Sequence, residues 1–213
     1  MDSVKLYPIN YAEPYIVIEN IESPMSELES KVEGILVKDH VLVLDKNMQH
    51  SLEQKGFGES MKKKFFLKPF ESLYLLYVDK LRLLKGEQSI HFDHLMGECI
   101  KQDNEAFTKF LIYRDLRTKG YIAKDGFGFG SDFRVYERGQ FGEKGAKYVV
   151  FGLTEGRRQK IGVLQKQIEQ IVTMGKEPVL AVIERRGEVI YYKISKIKFH
   201  QNKDQPGFSS IEF

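Results

Sequence analysis

The chain has 213 residues, of which 42% are hydrophobic and 30% are charged, and its formal net charge is +3 at pH 7. This balance is typical of a globular protein with one large or two small domains, and so small a net charge does not by itself require a nucleic-acid partner. The single cysteine, Cys99, excludes a disulfide framework and a cysteine-based zinc site. With neither a leader-like N-terminus nor an apolar run of about 20 residues, the sequence predicts a cytoplasmic protein without a membrane span.

The N-terminal part predicts a small α/β domain with an antiparallel sheet. Short apolar runs alternate with turn residues, and Lys38-Asp39-His40 is the predicted turn between two of the strands. One helix is predicted over 47–55, and another begins near Pro69, where the missing proline N–H costs nothing. The predicted strands lie at 15–18, 32–37, 41–44 and 81–84, and residues 88–90 are expected to lead directly into a further helix.

The C-terminal part predicts a second α/β domain. Residues 91–117 have a helical pattern that the polar run 101–105 interrupts, so we place a domain boundary near residue 98. The predicted domains are therefore 1–98 and 99–213, and the fold class is α+β or mixed α/β. An amphipathic helix over 161–172 precedes an apolar strand over 179–183, typical of a strand buried on both faces. Further strands are predicted at 189–194 and 208–213.

The stretch 113–150 is the most informative part of the chain. Gly120 follows a helical pattern at the position of a C-cap glycine, and Phe133–Tyr136 alternates as a half-buried strand does. The glycines at 126, 128 and 130 alternate with phenylalanines, a pattern that favours close backbone packing over a phosphate cradle. No P-loop and no carboxylate cluster of a metal-dependent nuclease is present, so we expect neither a metal nor a cofactor.

Basic residues concentrate in the middle of the chain and alternate with aromatic ones. Cations bind phosphates and aromatic faces stack on unpaired bases, so the combination indicates RNA binding. The alternative is a solvated charged face on a sheet whose aromatic residues belong to the core. Arg134 and Lys147 are the candidate RNA-binding residues. The whole set comprises Arg114, Arg117, Lys119, Lys124, Arg134, Arg138, Lys144, Lys147, Arg157, Arg158 and Lys160, with Tyr121, Phe127, Phe129, Phe133, Tyr136 and Tyr148 between them.

A family resemblance rests on the sequence YRDLRTKGYIAKDGFGFGSDFRVYERG, followed by AKYVV. It resembles the catalytic domain of the archaeal tRNA-splicing (tRNA-intron) endonucleases. The resemblance extends upstream to LEQKGFGE and LKPFESLYLL and downstream to LAVIERRGEVIYYKI, and so covers most of the chain. It implies an N-terminal α/β domain and a C-terminal domain similar to restriction endonucleases, with precursor tRNA as the substrate.

The resemblance also implies metal-free cleavage of RNA by the adjacent ribose 2′-OH, which leaves a 2′,3′-cyclic phosphate and a 5′-OH. A tyrosine acts as base, a histidine as general acid, and a lysine stabilises the charged transition state. Tyr136 matches the tyrosine and Lys176 the lysine, whereas Gly145 stands where the histidine is expected. No histidine lies between His94 and His200.

Two further features depart from the family pattern. Catalytic members are expected to clamp a bulged base between two arginines, whereas the helix before Lys176 offers Gln167, Glu169 and Gln170, and no arginine follows Arg186. The leading hypothesis is therefore a structural subunit of a heterotetramer that needs a catalytic partner subunit. The resemblance implies that such subunits pair through C-terminal strands and dock through an acidic loop, which makes Asp204 and Phe213 the candidate interface residues.

Three alternatives remain open at this point. The chain could be a homo-oligomeric enzyme that uses Tyr136 and Lys176 with a substitute acid, so whether it is itself an enzyme is left undecided. It could also be an RNA-binding module without cleavage activity. An engineered replacement of histidine by Gly145 is the third.

Overall fold

The computed structural model describes residues 4–8, 28, 30–128, 130–154 and 161–196. The strands in these ranges are β1 (Val4–Pro8), β2 (Val32–Val37), β3 (His40–Val43), β4 (Glu59–Met61), β5 (Lys64–Leu67), β6 (Leu81–Lys85), β7 (Gln88–Ile90), β8 (Ile122–Asp125), β9 (Phe133–Tyr136), β10 (Tyr148–Thr154), β11 (Glu177–Ile183) and β12 (Val189–Lys196). The helices are α1 (Lys46–Gln54), α2 (Pro69–Tyr77), α3 (Phe92–Gln102), α4 (Ala106–Thr118) and α5 (Ile161–Thr173). None of the helices in these ranges is long and apolar enough to cross a membrane.

The N-terminal sheet contains six strands in the order β4-β5-β3-β2-β6-β7. The predicted hairpin is present, with Val37 opposite His40 and Lys38 at a φ of 58° in the turn. The sheet is mixed rather than purely antiparallel as predicted, because β2 and β6 pair in parallel. Parallel strands need a crossover connection, and α2, which packs on β3 and β6, supplies it. The predicted direct entry into α3 was also wrong, since β7 pairs with β6 first.

The C-terminal sheet contains six strands in the order β1-β12-β11-β10-β9-β8. Only β10 and β11 are parallel, and α5 is the crossover between them. The sequence did not predict β1, which pairs with β12 in antiparallel register from Val4–Lys196 to Pro8–Tyr192. The strand predicted at 189–194 is present as β12, and it is hydrogen-bonded on both sides within the chain, by β1 and β11.

The ends of the helices follow local sequence signals. The Asp45 carboxylate accepts from the N–H groups of Asn47 and Met48 and so caps α1. Pro69 occupies the first turn of α2, as predicted. Helix α4 ends in a Schellman motif at Gly120, whose φ of 80° suits a residue without a Cβ. The backbone conformation at these ends is therefore set by residues within one turn.

One hydrophobic core includes residues of both sheets and of helices α2 and α4. At its centre, the Phe70 ring on α2 lies 4.9 Å from the Tyr113 ring on α4 and 5.1 Å from the Phe133 ring on β9. A second cluster fills the space between α5 and the other face of the C-terminal sheet. The predicted boundary near residue 98 falls within α3 and stays a prediction, since the shared core includes residues on both sides of it.

Two cations, the buried Arg117 and the largely buried Lys124, join α4 and the C-terminal sheet to the N-terminal domain. The Glu71 side chain is fully buried and accepts from the Gly58 N–H at 3.0 Å, the Lys68 N–H at 2.9 Å and the Lys124 Nζ at 3.0 Å. Arg117 donates to the carbonyl of Lys55 at 3.0 Å. Each cation reaches across from the C-terminal half of the chain to the loop that follows α1.

We predict that Glu71→Ala destabilises the protein by about 3–5 kcal/mol, because it leaves Lys124 as an uncompensated buried charge. Urea unfolding measures this change in the free energy of unfolding. Glu33→Ala is the matched control, since Glu33 forms an exposed pair with Arg82 at 3.0 Å and should cost less than about 1 kcal/mol. Equal effects of the two substitutions would contradict the structural role of the buried pair.

Candidate functional site

Three neighbouring strands of the C-terminal sheet bring the predicted catalytic positions into one row. The first residue of β10 pairs with Val135 on β9 and with Glu177 on β11. The Lys147 N–H donates to the Val135 carbonyl at 2.9 Å, and the Glu177 N–H donates to the Lys147 carbonyl at 2.9 Å, so the ladder continues by one residue. Tyr136, Lys147 and Lys176 are therefore neighbours in the next row, at one end of the sheet.

The end of α5 fixes the position of Lys176. Gly175 has a φ of 69°, and its N–H donates to the Val172 carbonyl at 2.9 Å. The Lys176 N–H donates to the Ile171 carbonyl at 3.1 Å, which completes a Schellman motif. The sequence Met-Gly-Lys thus ends the helix and delivers Lys176 directly to the start of β11.

Gly145 lies beside Lys176. A Cβ added at Gly145 would lie 3.2 Å from the Nζ atom of Lys176, so a side chain at this position would contact that amine. The glycine is not among the residues with a positive φ, and the atom it would meet is the far end of a flexible side chain. Neither the backbone nor the packing requires glycine here, which leaves the missing side chain as a chemical difference.

Tyr136 projects from the face of β9 opposite to the shared core. It alternates with the buried residues Phe133 and Val135, as the sequence pattern predicted. Its ring packs edge-on against Phe141 with the centroids 4.9 Å apart. Arg134 lies on the same face, two residues earlier, with its guanidinium 5.6 Å from the Phe127 ring.

Lys147 forms an ion pair with Glu137 and lies 5.2 Å from the centroid of the Tyr148 ring. The hydrogen bond that the Lys147 amine donates to Glu137 raises the pKa of Lys147 and lowers the pKa of Glu137. Burial raises the pKa of Tyr148, whose hydroxyl lies 3.4 Å from the Glu137 carboxylate. Sequence patterns gave no signal for Glu137 or Phe141, because both lie in the loops that flank the strands.

Two basic residues of the central stretch have partners inside the protein. Arg117 is buried with its guanidinium 4.0 Å from the Phe57 ring, and Lys124 pairs with Glu71. These two cations are structural rather than part of a solvated face, whereas Phe133 is a core residue, as the alternative to RNA binding predicted. The predicted strands at 15–18 and 208–213 lie outside the described ranges, as do the predicted residues Phe129, Arg157, Arg158, Lys160, Asp204 and Phe213.

A cavity of about 540 Å³ lies between the two domains, away from the row of Tyr136 and Lys176. Its lysines are paired with its carboxylates, Lys68 with Asp125 at 2.9 Å and Lys109 with Asp103 at 2.6 Å. Cys99 lines the cavity, and burial raises the pKa of its thiol to about 11. Among the described residues, no group of His, Cys, Asp and Glu side chains could hold a metal ion.

Two protein families match this chain in adjacent segments. The family described as the N-terminal domain of tRNA intron endonuclease matches residues 32–96. The family described as the catalytic C-terminal domain of tRNA intron endonuclease matches residues 106–191. The gap between them contains the break between α3 and α4.

Individual relatives agree with this assignment. The tRNA-splicing endonuclease of Thermococcus onnurineus (strain NA1) is 32% identical over 155 residues, which are 73% of this chain and 90% of the relative. The chain belongs to the tRNA-intron endonuclease family. The tRNA-splicing endonuclease of Pyrococcus furiosus is 32% identical over 68% of this chain and 84% of its own length. That of Pyrococcus horikoshii is 28% identical over 81% of this chain and 100% of its own length.

Membership of the tRNA-intron endonuclease family confirms the resemblance that the central motif indicated. The two-domain mixed α and β architecture is confirmed as well. The family assignment leaves the roles of Tyr136, Gly145 and Lys176 as predictions, because the matches extend over whole domains. Their proximity is a separate observation, made from strand register and from the distance between Gly145 and Lys176.

We predict that Lys147→Met raises the pKa of Glu137 towards its ordinary value, because the hydrogen bond that favours the carboxylate is lost. A carboxyl group whose pKa is lowered in the folded state stabilises the protein above its unfolded pKa, and this contribution disappears as the pH falls through the folded value. Carboxyl ¹³C NMR titration measures the midpoint.

Glu98 is the control for this titration, because Lys85 lowers its pKa in the same way and lies in the N-terminal domain. The Glu98 midpoint should not change in Lys147→Met. An unchanged Glu137 midpoint would contradict the ion pair.

Proposed function

We propose that this chain is a structural, non-catalytic subunit of a tRNA-splicing endonuclease that excises introns from precursor tRNA in the cytoplasm. A separate catalytic subunit performs the cleavage, and the two kinds of subunit form a heterotetramer. The observation that supports this proposal most directly is the glycine at position 145, next to Lys176.

The chemistry of the reaction explains why the residue at position 145 matters. When the ribose 2′-oxygen attacks phosphorus, the bond from phosphorus to the 5′-oxygen breaks, and a cyclic phosphate and a 5′-OH form. The 2′-OH loses a proton and the leaving 5′-oxygen gains one. A positioned general acid for this second transfer contributes about 10²–10⁴-fold to the rate. Gly145 has no side chain to donate that proton, and no histidine lies between residues 94 and 200.

The neighbouring residues fit a catalytic site that lacks its general acid and keeps its other parts. In an intact site, Tyr136 would act as the base and Lys176 would stabilise the charged transition state. In this chain the Tyr136 ring packs on Phe141, which gives it a structural role as well. Arg134 and Lys147 are proposed RNA contacts, although the Lys147 amine already pairs with Glu137.

Contacts with the catalytic subunit are proposed for the C-terminal segment, which contains Asp204 and Phe213. The pairing of β12 with β1 bears on this proposal. Because both edges of β12 are occupied within the chain, a partner strand would have to displace β1 or pair elsewhere. Strand addition at β1, one of the two edge strands of this sheet, leaves the intramolecular ladder intact.

A homo-oligomeric enzyme is the second candidate function. The observation in its favour is that Tyr136 and Lys176 occupy the same row at the end of the sheet, where the Lys176 ammonium could donate a proton in place of an imidazole. This function requires cleavage by the chain without any partner.

We predict that the purified chain alone does not cleave an intron-containing precursor tRNA, and that addition of the catalytic subunit restores cleavage. Tyr136→Phe in this chain should then leave the rate unchanged, because the partner performs the chemistry. Gel analysis of the products under single-turnover conditions measures both results. Cleavage by the chain alone, or a large drop with Tyr136→Phe, would favour the homo-oligomeric enzyme.

We predict that Gly145→His folds with a change of less than about 0.5 kcal/mol in the free energy of unfolding, because the position is exposed and only the Lys176 amine must move. The introduced imidazole should raise single-turnover cleavage by at least about tenfold over Gly145→Ala, the matched control. The gain should fall as the pH rises through the imidazole pKa, since only the protonated form donates. A folded Gly145→His variant that gains nothing would show that the row is not the remnant of a catalytic site.

A further inference from the structure

A small cavity lies on the face of the C-terminal sheet that packs against α4, at the point where α4 ends. Its volume is about 110 Å³. Apolar residues of the sheet form its floor, and three tyrosines and a lysine form its walls. The lining residues are Leu116, Lys119, Tyr121, Val135, Tyr148, Val150, Val179 and Tyr191.

The end of α4 explains why the cavity is open. The Schellman motif at Gly120 stops the helix, and Tyr121 turns back into the sheet, so the sheet face beyond the helix is left partly uncovered. Val135 and Tyr148 are paired residues that point to this face. Tyr136 follows in the next row and alternates to the opposite face, so the cavity and Tyr136 lie on different faces at the same end of the sheet. Lys147 belongs to that next row as well, but its amine reaches the Tyr148 ring at the edge of the cavity.

Each tyrosine of the cavity has a cation near its ring. Lys119 lies 5.1 Å from the centroid of the Tyr191 ring. The guanidinium of Arg138 lies 5.1 Å from the centroid of the Tyr121 ring, and the amine of Lys147 lies 5.2 Å from that of the Tyr148 ring. The cavity is thus an apolar, aromatic pocket with a rim of positive charge.

Carboxylates also face this rim and reduce its charge. Asp115 pairs with Lys119 at 2.6 Å, and Glu137 pairs with Lys147. Glu177, which follows in the same row of the sheet as Tyr148, pairs with Lys193 at 2.7 Å. In the part of the chain that the structure describes, no carboxylate lies within ion-pair distance of Arg138, so the rim keeps a net positive charge.

We propose that this pocket, formed by Tyr121, Tyr148 and Tyr191, binds one unpaired nucleobase of RNA, with Arg138 and its neighbouring lysines near the phosphate of the same nucleotide. At about 110 Å³ the pocket is smaller than a dry cavity of about 150 Å³ that holds benzene, so it takes part of one aromatic ring while the rest of the base lies at the open rim. Aromatic walls bind the face of a base, and cations attract the phosphate. An apolar side chain from a protein partner would fill the floor and would make no use of the positive rim.

This proposal rests on the proposed role in binding precursor tRNA, and it is tested without any cleavage assay. Fluorescence anisotropy at low salt measures the affinity of the full chain for a labelled, short single-stranded oligouridylate. The same oligonucleotide with one abasic residue in its centre is the comparison. We expect the abasic oligonucleotide to bind about tenfold more weakly, because base-on-aromatic stacking is lost while the phosphates remain.

Two variants locate the effect. Tyr148→Leu keeps the floor apolar and removes a stacking face, so the two oligonucleotides should bind it equally. Tyr77→Leu is the matched control: Tyr77 is an exposed tyrosine of α2 with Arg114 5.6 Å from its ring, and the difference should persist in this variant. Thermal unfolding verifies that both variants are folded. If Tyr148→Leu does not fold, the difference in affinity between the intact and the abasic oligonucleotide for the unaltered chain decides the question.

Three results would overturn the proposal: no binding of either oligonucleotide, equal affinity for both, or a difference that persists in Tyr148→Leu. Equal affinity would point to an apolar side chain of a protein partner as the occupant. Reconstituted cleavage with a catalytic subunit tests the proposed function independently, so a failure of the pocket and a failure of the subunit role are distinguishable.

Discussion

The buried carboxylate of Glu71 is the interaction on which the arrangement of the two domains depends. It lies at the start of α2 and binds the loop after α1 and the amine of Lys124 on β8. A buried charge of this kind is tolerated only when its hydrogen bonds are satisfied, so each partner is held in place by the others. The C-terminal sheet is fixed against the N-terminal domain at β8, and the row that contains Tyr136 is built on the same sheet.

The backbone around position 145 does not depend on the side chain at that position. The Schellman motif at Gly175 places Lys176, and strand register places Tyr136, by backbone hydrogen bonds that do not involve the side chain at 145. The residue at position 145 can therefore vary without disturbing the scaffold. The chain keeps the architecture of an endonuclease whether or not it cleaves RNA, which is why family membership alone does not establish activity.

The basic residues of the central stretch serve two different purposes. Arg117 is buried, Lys124 is largely buried, and both connect the domains. Lys119, Arg138 and Lys147 lie against tyrosine rings at the end of the sheet. A cation stacked on an aromatic ring remains partly hydrated and able to attract a phosphate, whereas a buried, paired cation does not. Arg117 and Lys124 are therefore excluded as RNA contacts, whereas the cations that lie against tyrosine rings are not.

The sequence by itself determined the family, the helix ends and most strands, because caps, glycines and alternation act within a few residues. It also indicated Tyr136, Lys176 and the missing side chain at Gly145. Only the tertiary structure decided which of these residues are neighbours, since the register of β9, β10 and β11 depends on contacts distant in sequence. The parallel pairing of β2 with β6, the covering of β12 by β1 and the burial of Arg117 were unpredictable for the same reason: each depends on a partner far along the chain, and no local pattern encodes that partner.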